Sequence, residues 1–189
     1  MNRFTKSALL AAALVLPSAL SAAPLQLTPA NPQPSGLSAG LSVKYAFPSD
    51  VKSLEAAREA LEASGKAGPA LVGLSYEDKP EGNPVMTAKF STMVAADISG
   101  YVRFDAPGVY TLNILTNDGA EVFLGGQEIA YVDERRPCDP VGEVQVNVPE
   151  AGWYELQATY FQRMGTSCLI MEWGTGGKMS LLPNAAYGH

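Results

Sequence analysis

The sequence predicts an all-β protein, an antiparallel β-sandwich or barrel with one short surface helix. Three observations predict it. Glycine (18) and proline (14) together make about a sixth of the 189 residues, above the ~12% of an average chain, and supply many turns. Hydrophobic residues are 47% and charged residues 17%, which fits a packed domain and neither a disordered chain nor a membrane bundle. Apolar and polar residues alternate in short runs, with turn signals between them every ~8–12 residues.

Met1 to Ala23 reads as a secretory signal peptide. Arg3 and Lys6 form its positive end, Ala8 to Leu16 its apolar run, and small residues Ser21, Ala22 and Ala23 its cleavage region. The apolar run is too short to cross ~30 Å of hydrocarbon, and no other stretch approaches ~18 apolar residues. No cysteine follows it, so a lipid anchor is not expected. The mature protein is therefore expected to be exported, periplasmic or at the cell surface, without a transmembrane anchor. Residues 24–40 are rich in Pro, Ser, Gly and Asn and are expected to form a flexible N-terminal arm. Residues 41–189 are expected to form a single β domain.

That domain begins with a strand, since Leu41, Val43, Tyr45 and Phe47 alternate with Ser42, Lys44 and Ala46. Pro48 stops it. Ser49 or Asp50 then caps a helix running to about Ser64, with Val51, Leu54, Ala57 and Leu61 on one side and Gly65 as the stop. Strand signals follow over residues 85–90, 93–104, 108–116, 120–125, 128–132, 142–148, 152–162 and 167–173. Turns are expected at Pro107-Gly108, Asn117-Asp118-Gly119, Gly125-Gly126, Ala151-Gly152 and Gly174 to Gly177.

Several chemistries are excluded early. The net charge is −6, the wrong sign for a nucleic-acid binder. The single histidine is His189, so histidine metal clusters and Ser/His/Asp triads are not expected. Glu77-Asp78 is an acidic pair with nothing else to mark it for glycoside hydrolysis. The protein is thus expected not to be an enzyme. Cys138 and Cys168 are the only cysteines, and in an exported chain they are expected to form a disulfide. A loop of about 30 residues closed that way is worth roughly 3–4 kcal/mol.

From Ser99 onward the features fall in a specific order. Gly100-Tyr101-Val102 leads into Pro107-Gly108-Val109-Tyr110-Thr111-Leu112. Then come Thr116-Asn117-Asp118-Gly119 and Val122-Phe123-Leu124-Gly125-Gly126, and next Ala151-Gly152-Trp153-Tyr154. Thr159-Tyr160-Phe161-Gln162 and Leu169-Ile170-Met171-Glu172-Trp173 close the series. This ordered set resembles the PA-fourteen domain family, named after the N-terminal domain of anthrax protective antigen. Gly40 to Tyr45 looks like the family's first strand. The resemblance spans about residues 40–185.

The resemblance implies a β-sandwich or barrel of the kind found in adhesins, glycosidases and toxins, most often as a carbohydrate-binding module. In lectin-type members two adjacent aspartates joined by a cis peptide bond hold a calcium ion that binds sugar hydroxyls. The aspartate pair maps onto Asn117 and Asp118, the implied calcium ligands here. The second loop of the site maps onto Gln162 to Thr166. The implied ligand-binding residues are therefore Asn117, Asp118, Gly119, Gln162 and Arg163. Asn117 departs from the pattern: its amide oxygen is neutral, so a calcium site with one carboxylate is expected to be weaker.

Two readings of Asn117-Asp118-Gly119 stand at this point, a plain hairpin turn and a hairpin turn that also holds calcium. Asp133-Glu134-Arg135-Arg136 reads either as a solvated loop held by the disulfide or as a source of arginines that bridge to a carboxylate ligand or a partner protein. Tyr101, Tyr131, Trp153 and Tyr154 are candidates to stack on a sugar ring, whereas Trp173 is expected to pack inside. The expected function is binding of a glycan or cell-surface polysaccharide. The alternative is a non-catalytic interaction or scaffold subunit of an envelope or surface assembly, with a protein partner and no sugar site.

Overall fold

Side chains that alternate along a strand point to opposite faces, so each long strand offers one apolar face to a shared interior. The computed structural model describes residues 23–189. The signal-peptide reading, apart from its final residue, lies outside the described residues. In chain order the elements are β1 (Leu25–Gln26), β2 (Ser42–Ala46), α1 (Leu54–Ser64), β3 (Lys66–Ala67), β4 (Ser75–Lys79), β5 (Val94–Phe104), β6 (Gly108–Thr116) and β7 (Gly119–Leu124). Then follow β8 (Gln127–Val132), β9 (Asp139–Pro140), β10 (Val144–Val148), β11 (Gly152–Gln162), β12 (Ser167–Thr175), β13 (Lys178–Leu181) and β14 (Tyr187–Gly188).

Two sheets face each other. One has the order β1-β10-β6-β12-β13, with β4 also on β12 and β9 on β6. The other has the order β3-β2-β5-β11-β7-β8, with β14 on β5. The pairing is antiparallel except for the short β1–β10 pair. The longest ladder runs from Val94 opposite Gln162 to Phe104 opposite Gly152. Ile98, Val102, Phe104, Leu112, Ile114, Val122, Tyr154, Leu156, Leu169 and Met171 fill the interior from both sheets. Full burial of a side chain of this size contributes ~1.5–3 kcal/mol. Trp173 packs against this core and stacks on Tyr110 with 5.6 Å between ring centroids.

The helix starts later than expected. Ser53, not Ser49 or Asp50, is its N-cap, and its Oγ accepts the Ala56 N–H at 3.2 Å. A distant residue completes the cap, because Asp133 Oδ1 accepts the Leu54 N–H at 2.6 Å. Val51, Leu54 and Ala57 pack on Ala46, Ala95 and Phe161 in a small second cluster, which lays the helix across the outer face of the second sheet.

Two expectations change. Residues 85–90 form no strand; Val85 N–H donates to the Phe90 carbonyl at 3.0 Å and closes a loop instead. Residues 24–40, expected to be flexible, are tied down along the sandwich. Leu27, Thr28 and Ala30 donate to the carbonyls of Asn147, Gly125 and Trp153, and Ser38 and His189 exchange two backbone hydrogen bonds. Leu27 is itself part of the core. Tertiary partners supply the order that local periodicity lacks.

The expected hairpin at Asn117-Asp118-Gly119 is not one. β6 belongs to the first sheet and β7 to the second, so this turn carries the chain across the sandwich. The β8–β9 and β11–β12 connections cross in the same way. The register places all three at one end: Leu169 and Asp139 both face Thr116, and Phe161 faces Gly119.

Candidate functional site

Backbone groups where a strand leaves its sheet need partners, and here the three crossovers satisfy one another. Asn117 N–H donates to the Cys168 carbonyl at 3.3 Å, and Asp118 N–H donates to the Arg136 carbonyl at 3.1 Å. Asn117 Nδ2 donates to the same Arg136 carbonyl at 2.8 Å. Arg163 N–H donates to Asp118 Oδ2 at 2.6 Å. The Cys138–Cys168 disulfide, with Cα atoms 5.9 Å apart, fastens the arginine-bearing loop to the start of β12.

The local sequence suits this turn. Asp118 takes φ of 55°, a left-handed conformation that aspartate tolerates better than most residues. Gly119 answers a different need. A Cβ there would lie 2.1 Å from Phe161 Cε1, so only glycine lets the turn close onto that ring.

Together the loops enclose a recess of about 390 Å³, within the ~300–1,000 Å³ range of small-molecule sites. Asn117 and Asp118 line it from the first loop, Arg135, Arg136 and Pro137 from the second, and Arg163 to Thr166 from the third. Asp118 is almost fully buried, and desolvation pushes its carboxyl above the usual range despite the N–H groups of Arg163 and Arg136 and the charges of Arg135 and Arg163. Asp50, just outside, behaves oppositely. Hydrogen bonds from Arg163 and Lys52 hold its carboxyl well below the usual range. The Arg163 Nε–Asp50 Oδ1 distance is 2.7 Å. Arg136 Nη2 donates to the Pro140 carbonyl at 3.0 Å. Arg135 is exposed and forms no ion pair among the described residues.

Of the five residues mapped from the sequence, Asn117, Asp118 and Arg163 line the recess. Gln162 does not. It is fully buried, its Nε2 donates to the carbonyls of Met164 and Thr166 at 2.9 and 2.6 Å, and its Oε1 accepts from the Tyr160 hydroxyl at 3.1 Å. It therefore shapes the loop from behind. Gly119 is buried against Phe161. Tyr101, Trp153 and Tyr154 lie toward the opposite end of the β5–β11 ladder, roughly 25 Å away at ~3.3 Å per residue, and Tyr154 is fully buried. Arg135 and Arg136 join the site because Cys138 follows them so closely. Asp50 joins it through Arg163, a contact between loops that no local pattern announces.

A calcium ion takes 6–8 oxygen ligands. Asn117 Oδ1 is buried without a hydrogen-bond partner, and Asp118 supplies one carboxylate. The Asn117–Asp118 peptide bond is trans. Among the described residues no group of three or more His, Cys, Asp or Glu side chains converges to hold a metal. Arg135, Arg136 and Arg163 line the same space, and their positive charge opposes a divalent cation. This donor set does not fit a resident calcium ion.

No family model and no curated protein sequence matches the chain. Solved structures match its fold. The PA14 domain of the antifreeze protein MpAFP superposes with a TM-score of 0.68 at 18% identity, covering 82% of this chain and 93% of that one. The PA14 sugar-binding domain of an RTX adhesin gives 0.61 at 13% identity, covering 80% and 98%. The A domain of epithelial adhesin 9 from Candida glabrata, in complex with Galβ1-3GlcNAc, gives 0.67 at 14% identity, covering 88% and 95%. No helix among the described residues is long and apolar enough to cross a membrane. The two packed sheets, their strand order and these superpositions show that this chain has the PA14-type, lectin-like fold.

Proposed function

We propose that this protein is an exported, non-catalytic module that binds carbohydrate in the three-loop recess, with no resident calcium ion. The observation that carries the reading is the convergence of three sheet-crossing loops into one polar recess. Asn117 lines the recess and its buried Oδ1 has no partner among the described residues, which leaves it an acceptor for a sugar hydroxyl, and the lining arginines are donors. The adhesin domains of like fold, one named as sugar-binding and one in complex with a disaccharide, support it by analogy. A glycan array probed with the folded protein in calcium and in EDTA tests both halves. Binding that persists in EDTA supports the proposal. Binding lost in EDTA restores a metal role, and an empty array removes the carbohydrate role.

A second reading has its own observation. Phe47 and Phe90 are both exposed, pack edge to face at 4.7 Å, and carry Lys89 over their rings beside a cleft of about 340 Å³. An exposed aromatic pair of this kind suits a protein partner in an envelope or surface assembly. If the array is empty and an envelope-extract pull-down depends on Phe47 and Phe90, the scaffold reading takes over.

A further inference from the structure

We infer that the recess selects an acidic sugar, a ring bearing a carboxylate in the manner of a uronic acid. The inference rests on the carbohydrate reading above and names the substrate class of that same site. Three arginines and one aspartate line the recess of a chain whose net charge is −6, so the local sign opposes the global one. The one lining carboxylate, Asp118, is already engaged by the Arg163 N–H, and it is buried rather than presented.

The arginines keep donors to offer. A guanidinium carries five N–H groups in a planar fork that matches a carboxylate. Arg163 directs Nε to Asp50 and Nη1 toward Met164 Sδ, and Arg136 directs Nη2 to the Pro140 carbonyl. Those tethers hold the two heads in place while leaving most of their N–H groups unengaged by the described residues. A donor set fixed before binding loses less entropy when a ligand arrives. Arg135, exposed and without an ion pair among the described residues, adds a third donor.

Asn117 links the anion to a sugar. Asn117 lines the same recess as the arginines, and its Oδ1 is a buried acceptor with no partner among the described residues. A carboxylate has no hydrogen to give it, whereas a ring hydroxyl beside that carboxylate does. Forked donors and one lone acceptor in a single recess together match a hydroxylated ring acid.

The test uses oligosaccharide pairs that differ only by oxidation at C6: glucose with glucuronate, galactose with galacturonate, and mannose with mannuronate. Glutarate serves as a carboxylate without a ring. Calorimetric titration of the full protein is expected to show at least one uronate binding about tenfold tighter than its neutral twin. That preference should weaken as salt rises and shrink in Arg135→Ala, with circular dichroism confirming that the variant is folded. If neutral members bind as well as acidic ones and Arg135→Ala changes nothing, the acidic-sugar inference falls and the carbohydrate reading stands. If only glutarate binds and needs Arg135, the recess is an anion site and both readings fall. If nothing in the panel binds, the acidic-sugar inference is overturned, and the glycan array decides the broader reading.

Discussion

At the floor of the recess Asn117 and Asp118 are 5% and 4% exposed, with Gln162 fully buried behind them, whereas at the rim Met164 is 53% exposed and Arg135 is exposed with no ion pair among the described residues. The same three loops build both regions. Buried side chains there are largely engaged by the fold: Gln162 closes its own loop, Asp118 joins β6–β7 to β11–β12, and Asn117 Nδ2 holds the Arg136 carbonyl. Rim side chains are less engaged: Arg136 donates to one carbonyl, and Arg135 forms no ion pair among the described residues. The two aspartates show the contrast most sharply. Burial raises the Asp118 pKa, while hydrogen bonds in a solvated setting lower that of Asp50. Neighbouring carboxyls in one loop cluster are thus set in opposite directions by burial and by hydrogen bonding.

The comparison can be broken or sharpened in four ways. The largest effect should come from removing the bond that holds the rim to the floor. Replacing Cys138 and Cys168 by serine is expected to cost ~3–4 kcal/mol, read as a lower urea midpoint. An unchanged midpoint would mean that the backbone lacing alone holds the arginine loop. Next, Gly119→Ala is expected to cost ~1–3 kcal/mol through overpacking against Phe161. Pairing it with Phe161→Leu should recover part of that loss in a double-mutant cycle, and simple additivity would refute the steric account.

A smaller, pH-dependent effect separates the aspartates. The raised pKa of Asp118 means that the folded state holds its proton more tightly, so this stabilisation is full below the ordinary pKa, ~3.9, and is lost as pH rises through the folded value. Asp118→Asn should therefore gain on the parent as pH climbs above ~4. The lowered pKa of Asp50 has the opposite sign: its stabilisation is present above the ordinary value and is lost as pH falls below it. Asp50→Asn should therefore lose ground to the parent as pH rises through that acid range. Chemical unfolding of both variants at several pH values reads these slopes, and parallel curves would count against the assignment. The smallest effect on stability belongs to the rim. Arg135→Ala should change it by no more than ~0.5 kcal/mol, whatever it does to ligand affinity. A larger loss would make Arg135 part of the floor.

Much of the fold was legible because alternation is local. Val144, Val146 and Val148, or Tyr154, Leu156 and Ala158, declare a strand within a few residues. β4 and β13 carry no long alternating pattern because they are short edge strands on β12; β4 is ordered by that partner from far along the chain, whereas β13 turns straight back onto it. Residues 85–90 deceived for the converse reason: Val85 and Ala88 are buried from a loop, not from a pleated face. In the site, Asn117, Asp118 and Arg163 were found through the resemblance. Arg135 and Arg136 show in the sequence only as part of a charge run beside Cys138. The role of Gln162 depends on the shape of a tight loop, and the entry of Asp50 on a contact across 113 residues of chain.

By itself the sequence determined the class of the fold, the long strands and the cysteine pair, since periodicity, turn chemistry and composition act over a few residues. Only the tertiary structure decided that the Asn117-Asp118-Gly119 turn bridges two sheets, and that three arginines gather where a cation would have to sit. Which loops meet is set by sheet order and register, and those follow from how two whole faces pack.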